Sequence, residues 1–342
     1  MKDMSWAEPG VDEVSSGVYR IPLPVPQDSL GAVNVYAIDD GNGLFFIDSG
    51  WDLAESREAL ETALGSLGYT FADIRRFLIT HMHSDHYGLA LRIRRSFGTP
   101  ISLGAAEQQS IDICSSPNYE HFDETIRLLI DAGAEELIAD LRAVHRDDDL
   151  QKAYVWEQPD SWIEPGEILI GSRRLHAIHT PGHTHGHMVF HDAEAGLLFA
   201  GDHILPQITP SVGLEPIAAP FPLVDFMESL HRVVRLPDAR LLPAHGPVVE
   251  SAHARCEELL TYHERRVLEI LDVLDDGDYT AYDIARLMKW TRRQLPLGQL
   301  ELFSRTMAIN QVKAHLDVCV ARGLLDSDRG HTGEFHYTRV VT

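Results

Sequence analysis

The sequence predicts an α+β protein in which helices cover more than one sheet. Three observations predict it. Apolar runs of strand length recur between residues 18 and 246, and several stop at a histidine or an aspartate. Stretches with helical spacing of apolar residues alternate with those runs. Beyond residue 250 the pattern becomes three helices followed by a hairpin. With 342 residues, 44% of them hydrophobic, the chain can bury one large core and one smaller one.

Met1 to Gly10 is polar and acidic and lacks the apolar stretch of a secretory signal. No run approaches the roughly 18 apolar residues of a spanning helix, so a cytoplasmic protein without membrane contact is expected. Val18 to Ile38 reads as two strands parted by Pro22, Pro24, Pro26 and a Gln27-Asp28-Ser29 turn, a candidate mobile loop. Arg75 to Thr80 reads as a buried strand, because Phe77, Leu78 and Ile79 are apolar and β-capable, and His86 to Phe97 reads as the helix after it. From about 103 to 156 the chain becomes a helical insertion, with helices over Ala105 to Ser115, His121 to Ala132 and Ala134 to Val144. Thr125, Leu128, Leu129 and Ala132 share one helical face there. This insertion either walls a substrate pocket or packs as a hairpin; Tyr119, His121 and Phe122 are its candidate contacts.

After residue 250, Ser251 to Leu274 reads as a long helix ended by Asp275-Asp276-Gly277-Asp278. Thr280 to Met288 and Thr306 to Arg322 follow as helices, then a hairpin turns around Arg329-Gly330-His331 into Phe335 to Thr338. The expected division is a catalytic domain at 1–254 and a small domain at 255–342. Cys114, Cys256 and Cys319 lie far apart in helical patterns, so neither a disulfide framework nor a cysteine zinc site is expected.

The chemistry is concentrated in His81-Met82-His83-Ser84-Asp85-His86, three imidazoles and a carboxylate at the mouth of one strand. In extended backbone His81 and His83, two apart, project from the same face and can reach one cation, and Asp85 and His86 open the next helix beside them. A helix cap explains one polar residue at such a turn and not four. Three later segments add ligand types at strand ends: His183 in a Pro-Gly turn, Asp202 after Leu197 to Gly201, and His245 after Leu241 to Ala244. Imidazole nitrogen and carboxylate oxygen suit zinc first, and manganese or iron also fit.

This constellation resembles the metallo-β-lactamase superfamily, whose pattern is HxHxDH followed by His, Asp and His. The resemblance covers about residues 12 to 250 and includes Leu44 to Gly50, which is similar to the early strand and turn of that family. It implies a four-layer αβ/βα sandwich with two divalent metal ions at one edge. Carried over, His81, His83 and His183 hold the first ion, Asp85, His86 and His245 the second, and Asp202 bridges them. Asp85 is also the implied proton shuttle. His179, His185, His187 and His203 fall outside this complete set and are read as supporting residues; Tyr87 is read either as an oxyanion donor or as a core residue. The tail resembles the winged-helix-like C-terminal domain of a branch that includes a mammalian endoribonuclease and thioesterase-like enzymes.

A metal-bound water is acidified far below bulk water, towards about 7 on zinc, and the resulting hydroxide attacks a carbonyl or phosphoryl centre. The resemblance disfavours antibiotic hydrolysis, since true β-lactamases of this fold lack the bridging Asp, and flavodiiron oxidoreductases carry Glu where this chain has His83. The formal charge is −23, and residues 255–342 carry 12 basic and 14 acidic groups, which leaves about −21 on the preceding part. A phosphate-tracking surface is normally basic, so nucleic acid is an unfavoured partner. Thr306 to Arg322, with only Lys313 and Arg322 as cations, favours packing or homodimerisation over DNA reading. The expected activity is hydrolysis of a small-molecule thioester, ester or lactone. The alternatives are a phosphodiesterase or ribonuclease, and a DNA-binding regulator with a degenerate hydrolase domain.

Overall fold

The structure is a computed structural model that describes residues 4–26, 31–116, 119, 123–145, 156–275, 277–291 and 293–340. Its first sheet has seven strands in sequence order: β1 (Asp12–Ser15), β2 (Val18–Pro24), β3 (Ala32–Asp39), β4 (Leu44–Ile47), β5 (Ile74–Ile79), β6 (Ile101–Gly104) and β7 (Ser161–Ile163). The second has five: β8 (Gly166–Ile170), β9 (Arg173–His179), β10 (Met188–Asp192), β11 (Leu197–Gly201) and β12 (Arg240–Pro243), in the order β12-β11-β10-β9-β8. Helices α1 (Ala54–Ser66) and α2 (Ser84–Phe97) connect the parallel strands β4, β5 and β6. Helix α6 (Pro222–Val234) crosses between the parallel pair β11 and β12.

Strand alternation divides the apolar residues into three layers of core, as a four-layer sandwich requires. Val33, Val35, Phe46, Phe77 and Ile79 face Leu60, Leu64, Leu89 and Ile93 of α1 and α2. Their neighbours Tyr36, Ile38, Ile47 and Leu78 face the other way, onto Leu175, Phe190, Phe199 and Leu242 of the second sheet. Val189, Leu198, Ala200 and Leu241 then turn outward under Phe226 and Leu230 of α6. Helix, sheet, sheet and helix are thus stacked, and the α+β fold class with a four-layer αβ/βα arrangement is observed.

The proline-rich segment departs from expectation. Pro22 and Pro24 do not interrupt β2, which pairs with β3 from Val18↔Ile38 to Pro24↔Ala32. The physical reason is that β1 covers β2 only as far as Arg20, so beyond it one edge of β2 is open and a missing N–H costs no ladder bond. Gln27, Asp28 and Ser29, the expected turn, lie outside the described residues.

Between β6 and β7 the insertion contains α3 (Gln108–Cys114), α4 (Asp123–Asp131) and α5 (Ile138–His145). Leu129 and Ala132 are buried as their spacing predicts, and Gly133 parts α4 from the next turn at φ 74°. His121 and Phe122 lie outside the described residues.

The tail contains α7 (Ala252–Val273), α8 (Ala281–Leu287) and α9 (Leu302–Ala321). A three-stranded sheet joins β13 (Tyr279–Thr280) to the hairpin of β16 (Leu325–Arg329) and β17 (Phe335–Arg339), and a small pair, β14 (Lys289–Trp290) with β15 (Leu295–Pro296), lies between α8 and α9. Ser251 caps α7 by accepting from Ala254 N, and Thr280 with Asp283 forms a capping box on α8. Helix α9 begins four residues before Thr306, where the sequence pattern puts its start.

Insertion, second sheet and tail share one apolar core that includes Leu129, Val189, Phe226, Ile284 and Ile309. Polar bonds reinforce it: Tyr282 N donates to Ala132 O at 2.9 Å, and Arg329 pairs with Asp131 at 2.8 Å. Among the described residues no helix is long and apolar enough to cross a membrane.

Candidate metal centre

Both sheets deliver side chains to one edge. Strand β5 ends at Ile79 and releases Thr80, His81 and His83 before α2, whose first turn carries Asp85 and His86. An acid in that turn complements the positive end of the helix. Strands β9, β11 and β12 end just before His183, Asp202 and His245. The turn into Asp202 needs glycine. Gly201 has φ 52°, and a Cβ there would lie 2.7 Å from His187 Nε2 and Thr80 Oγ1.

All seven predicted residues meet at this edge. His81, His83 and His183 form one group, with His81 Nε2 2.9 Å from His83 Nδ1, and His183 Nε2 3.2 and 3.1 Å from the same two atoms. Hydrogen bonding on the far side of each ring decides what these nitrogens are. His83 Nε2 donates to Leu214 O at 3.0 Å, and His183 Nδ1 donates to Ser211 O at 2.7 Å. The Thr80 hydroxyl donates to Asp48 Oδ2 at 2.9 Å and so accepts from His81 Nδ1 at 3.0 Å. Every outer nitrogen therefore carries the proton, and three lone pairs converge on one point. That arrangement is repulsive by itself and is stabilised by a cation.

Asp85, His86 and His245 form a second group, and His81, His86 and Asp202 a third that joins the two. His245 Nε2 lies 3.2 Å from Asp85 Oδ2 and 3.5 Å from Asp202 Oδ1; His86 Nε2 lies 3.5 and 3.7 Å from the same oxygens. The outer nitrogens are again held, His86 Nδ1 by Asp48 Oδ2 at 2.8 Å and His245 Nδ1 by Ala32 O at 2.8 Å. The other oxygen of Asp202, Oδ2, faces His183 Nε2 at 3.6 Å, so one carboxylate addresses both groups. His86 Nε2, His245 Nε2 and Asp202 Oδ1 are buried without a hydrogen-bond partner. Buried polar atoms are normally paired, and three left open at one point fit divalent metal ions.

Several supporting residues escape a reading of the sequence. Asp48 is a buried non-glycine residue at φ 61°, held by accepting from Thr80 N at 2.8 Å. Its carboxylate orients His86 directly and His81 through Thr80, so backbone strain sits where it serves the site. Leu44 to Gly50 reads as a strand and turn, but nothing in its pattern separates this Asp from a turn residue. Glu107, fully buried, accepts from Thr184 Oγ1 at 2.6 Å and Met82 N at 3.3 Å, clamping the segments that carry His81, His83 and His183. Burial pushes its carboxyl up to about 7.

Among the described residues the remaining histidines are not in the ligand groups. His187 accepts from Asp202 N at 3.2 Å, His179 contacts His185 O, and His203 packs against Phe226. Tyr87 is a core residue: it is buried and its hydroxyl donates to Glu157 O at 2.8 Å, which removes it as an oxyanion donor. The cysteines are all buried thiols.

The two groups differ in how they hold protons. Burial, with neighbouring imidazoles, keeps His81 well below the usual histidine value, and His183 is lowered to about 4. For His86 burial also opposes charge, but Asp85, Asp48 and Asp202 outweigh it and raise the pKa well above the usual value; His245 is raised by Asp202 and Asp85 in the same way. In metal-free protein the first group is therefore neutral at neutral pH, while the second carries protons that a metal must displace. Metal binding to the second group should tighten as pH rises through neutrality. Binding to the first should stay nearly flat until pH falls towards the value of His183. Chelator competition with zinc at several pH values between about 5 and 8 checks this; equal pH slopes for both binding steps would refute it.

The metallo-beta-lactamase superfamily profile matches residues 28–245. A protein of Bacillus subtilis named Probable metallo-hydrolase YqjP is 26% identical over 321 residues, covering 90% of this chain and 93% of the relative. The Beta-lactamase-like protein 2 homolog of Caenorhabditis elegans is 25% identical, covering 88% of this chain and 87% of its own. Among solved structures, a metallo-beta-lactamase family protein of Thermus thermophilus superposes with a TM-score of 0.77 at 29% identity, covering 96% of this chain and 100% of that one, so the likeness extends into the tail. Members of the superfamily bind divalent metals, typically zinc. On the profile match, the fold and the converging His and Asp side chains, this chain belongs to the metallo-beta-lactamase superfamily.

Proposed function

We propose that this metallo-hydrolase carries two divalent ions and cleaves a small thioester, ester or lactone. The observation that carries the two-ion reading is the inward face of His86, His245 and Asp202, buried without a hydrogen-bond partner, beside the converging nitrogens of His81, His83 and His183. His81, His83 and His183 hold one ion, Asp85, His86 and His245 the other, with Asp202 between them; zinc is the first choice. Such ions supply polarisation of a carbonyl oxygen and a water that is nucleophilic at neutral pH. Asp48, through His86 and Thr80, keeps the ring tautomers in place. Asp85, with 16% of its side chain exposed against 11% for Asp202, is the more open carboxylate and accepts a proton from the attacking water for delivery to the leaving group.

Two features favour a small acyl substrate. About −21 of formal charge precedes residue 255, which repels a phosphodiester polymer. A cavity of about 410 Å³ between α4, residues 212–222 and α9 is lined by Leu128, Val212, Phe221 and Phe335 together with the acids Glu124, Asp131, Glu215 and Asp317, which disfavour a phosphate there. Its cations Arg127 and Lys313 already bond Pro216 O and Asp317. Zinc-loaded protein should therefore turn over acyl-CoA, acyl-glutathione or lactone probes faster than bis-phenyl phosphate. Faster cleavage of the phosphodiester would move the assignment to a phosphodiesterase or ribonuclease of the same fold.

A further inference from the structure

Residues 205–221 run between β11 and α6 without helix or strand. With no ladder of their own, their position is set by bonds from elsewhere. Two of their carbonyls face the first ligand group, Ser211 O accepting from His183 and Leu214 O from His83. Gly213 N, between them, donates to Gly182 O at 3.0 Å. The tail holds the same segment from behind. Asn310 Nδ2, from the middle of α9, donates to Val212 O at 3.0 Å. Arg255 at the start of α7 donates to Leu205 O at 2.7 Å and Ile208 O at 2.9 Å.

Asn310 is out of character for its surroundings. It is 8% exposed among Ile309, Val312 and Ala314 in the interior of a helix, where asparagine is a poor former and a buried amide is costly unless bonded. Beside it lies a cavity of about 250 Å³ lined by Ser211, Val212, Trp290, Met307 and Asn310. Val212 packs into the shared core, but the segment borders open space on this side and has room to shift once its bond is lost.

We propose that Asn310 is a positioning residue for the metal centre: by fixing Val212 O it holds the Ser211 and Leu214 carbonyls that set the ring orientation of His183 and His83. The tail thereby acts on the first ligand group and not on the second, whose outer nitrogens are held by Asp48 and by Ala32 O. The inference rests on the metal-centre reading and is independent of the substrate class.

The test uses full-length zinc-loaded protein with 15N-labelled histidine. In Asn310→Leu the ring N–H signals of His83 and His183 should shift and exchange faster with water, while those of His86 and His245 stay unchanged. One of the two zinc-release steps against a chelator should become easier by about tenfold, the low end for loss of an outer-shell partner. Cys319→Ala, which opens a cavity in the same helix without touching the segment, is the control for mere loss of tail stability. If leucine at 310 prevents folding, Asn310→Ser, too short to reach Val212 O, should give the same pattern. Unchanged His83 and His183 signals, or equal disturbance by Cys319→Ala, would overturn the proposal alone. Failure of the unmodified chain to hold zinc would overturn it together with the metal-centre reading.

Discussion

Asp202→Ala should reduce the metal content of purified protein from about two ions per chain to fewer than one, a larger loss than alanine at any single histidine of the set. The reason is geometric. Oδ2 of Asp202 faces His183 at 3.6 Å, while Oδ1 faces His245 at 3.5 Å and His86 at 3.7 Å. Removing it takes an anionic donor from both groups at once, so two cations held there would lose the negative charge that offsets their mutual repulsion. His245→Ala, by contrast, removes one neutral ligand from the second group and should spare the first. Elemental analysis of the two variants beside the unmodified chain separates the cases. One ion in the parent, unchanged in Asp202→Ala, would remove the dinuclear assignment.

The residues that carry chemistry are legible because ligand side chains are chemically conspicuous. His81, His83, Asp85 and His86 in six residues stand out from any capping pattern, and His183, Asp202 and His245 each end a recognisable strand. The residues that orient them are not. Asp48 is one acid after an apolar run, and its role exists only because Thr80 and His86 arrive beside it from an adjoining strand and helix. Carbonyl supports such as Ser211, Leu214 and Ala32 leave no trace in sequence, since every residue has a carbonyl.

The layers follow the same logic. Period-two alternation in Tyr36-Ala37-Ile38 or Phe46-Ile47 tells which side chains share a face, but not that one face meets helices and the other a second sheet. The helical stretches of the insertion are readable within a few residues, whereas its attachment to the tail through Ala132, Glu136 and Asp131 depends on contacts from Tyr282 and Arg329, far along the chain. Pro22 and Pro24 mislead for a related reason: proline reads as an interruption unless the open strand edge is known.

Asp85→Asn should retain part of the metal yet lose most turnover, and the size of the loss should depend on the leaving group. An amide oxygen can still occupy the place of Oδ2, 3.2 Å from His245 Nε2, but it cannot take up and release a proton. In the metal-free protein burial opposes charge on Asp85, but His86 and His245 outweigh it and hold the carboxyl well below the usual carboxylate range. In that state the group rests as an anion. Proton transfer of this kind is worth about 10²- to 10⁴-fold, and the upper part of that range is expected where the departing atom is a poorly leaving alkoxide. A thiolate leaves without a proton, so a thioester of the same acyl group should lose far less. Rates of the parent and Asp85→Asn on matched thioester and oxygen-ester pairs, each normalised to bound metal, measure the difference directly. Equal losses on both would leave Asp85 a ligand without a proton-transfer role, and the proton would then have to reach the leaving group from water.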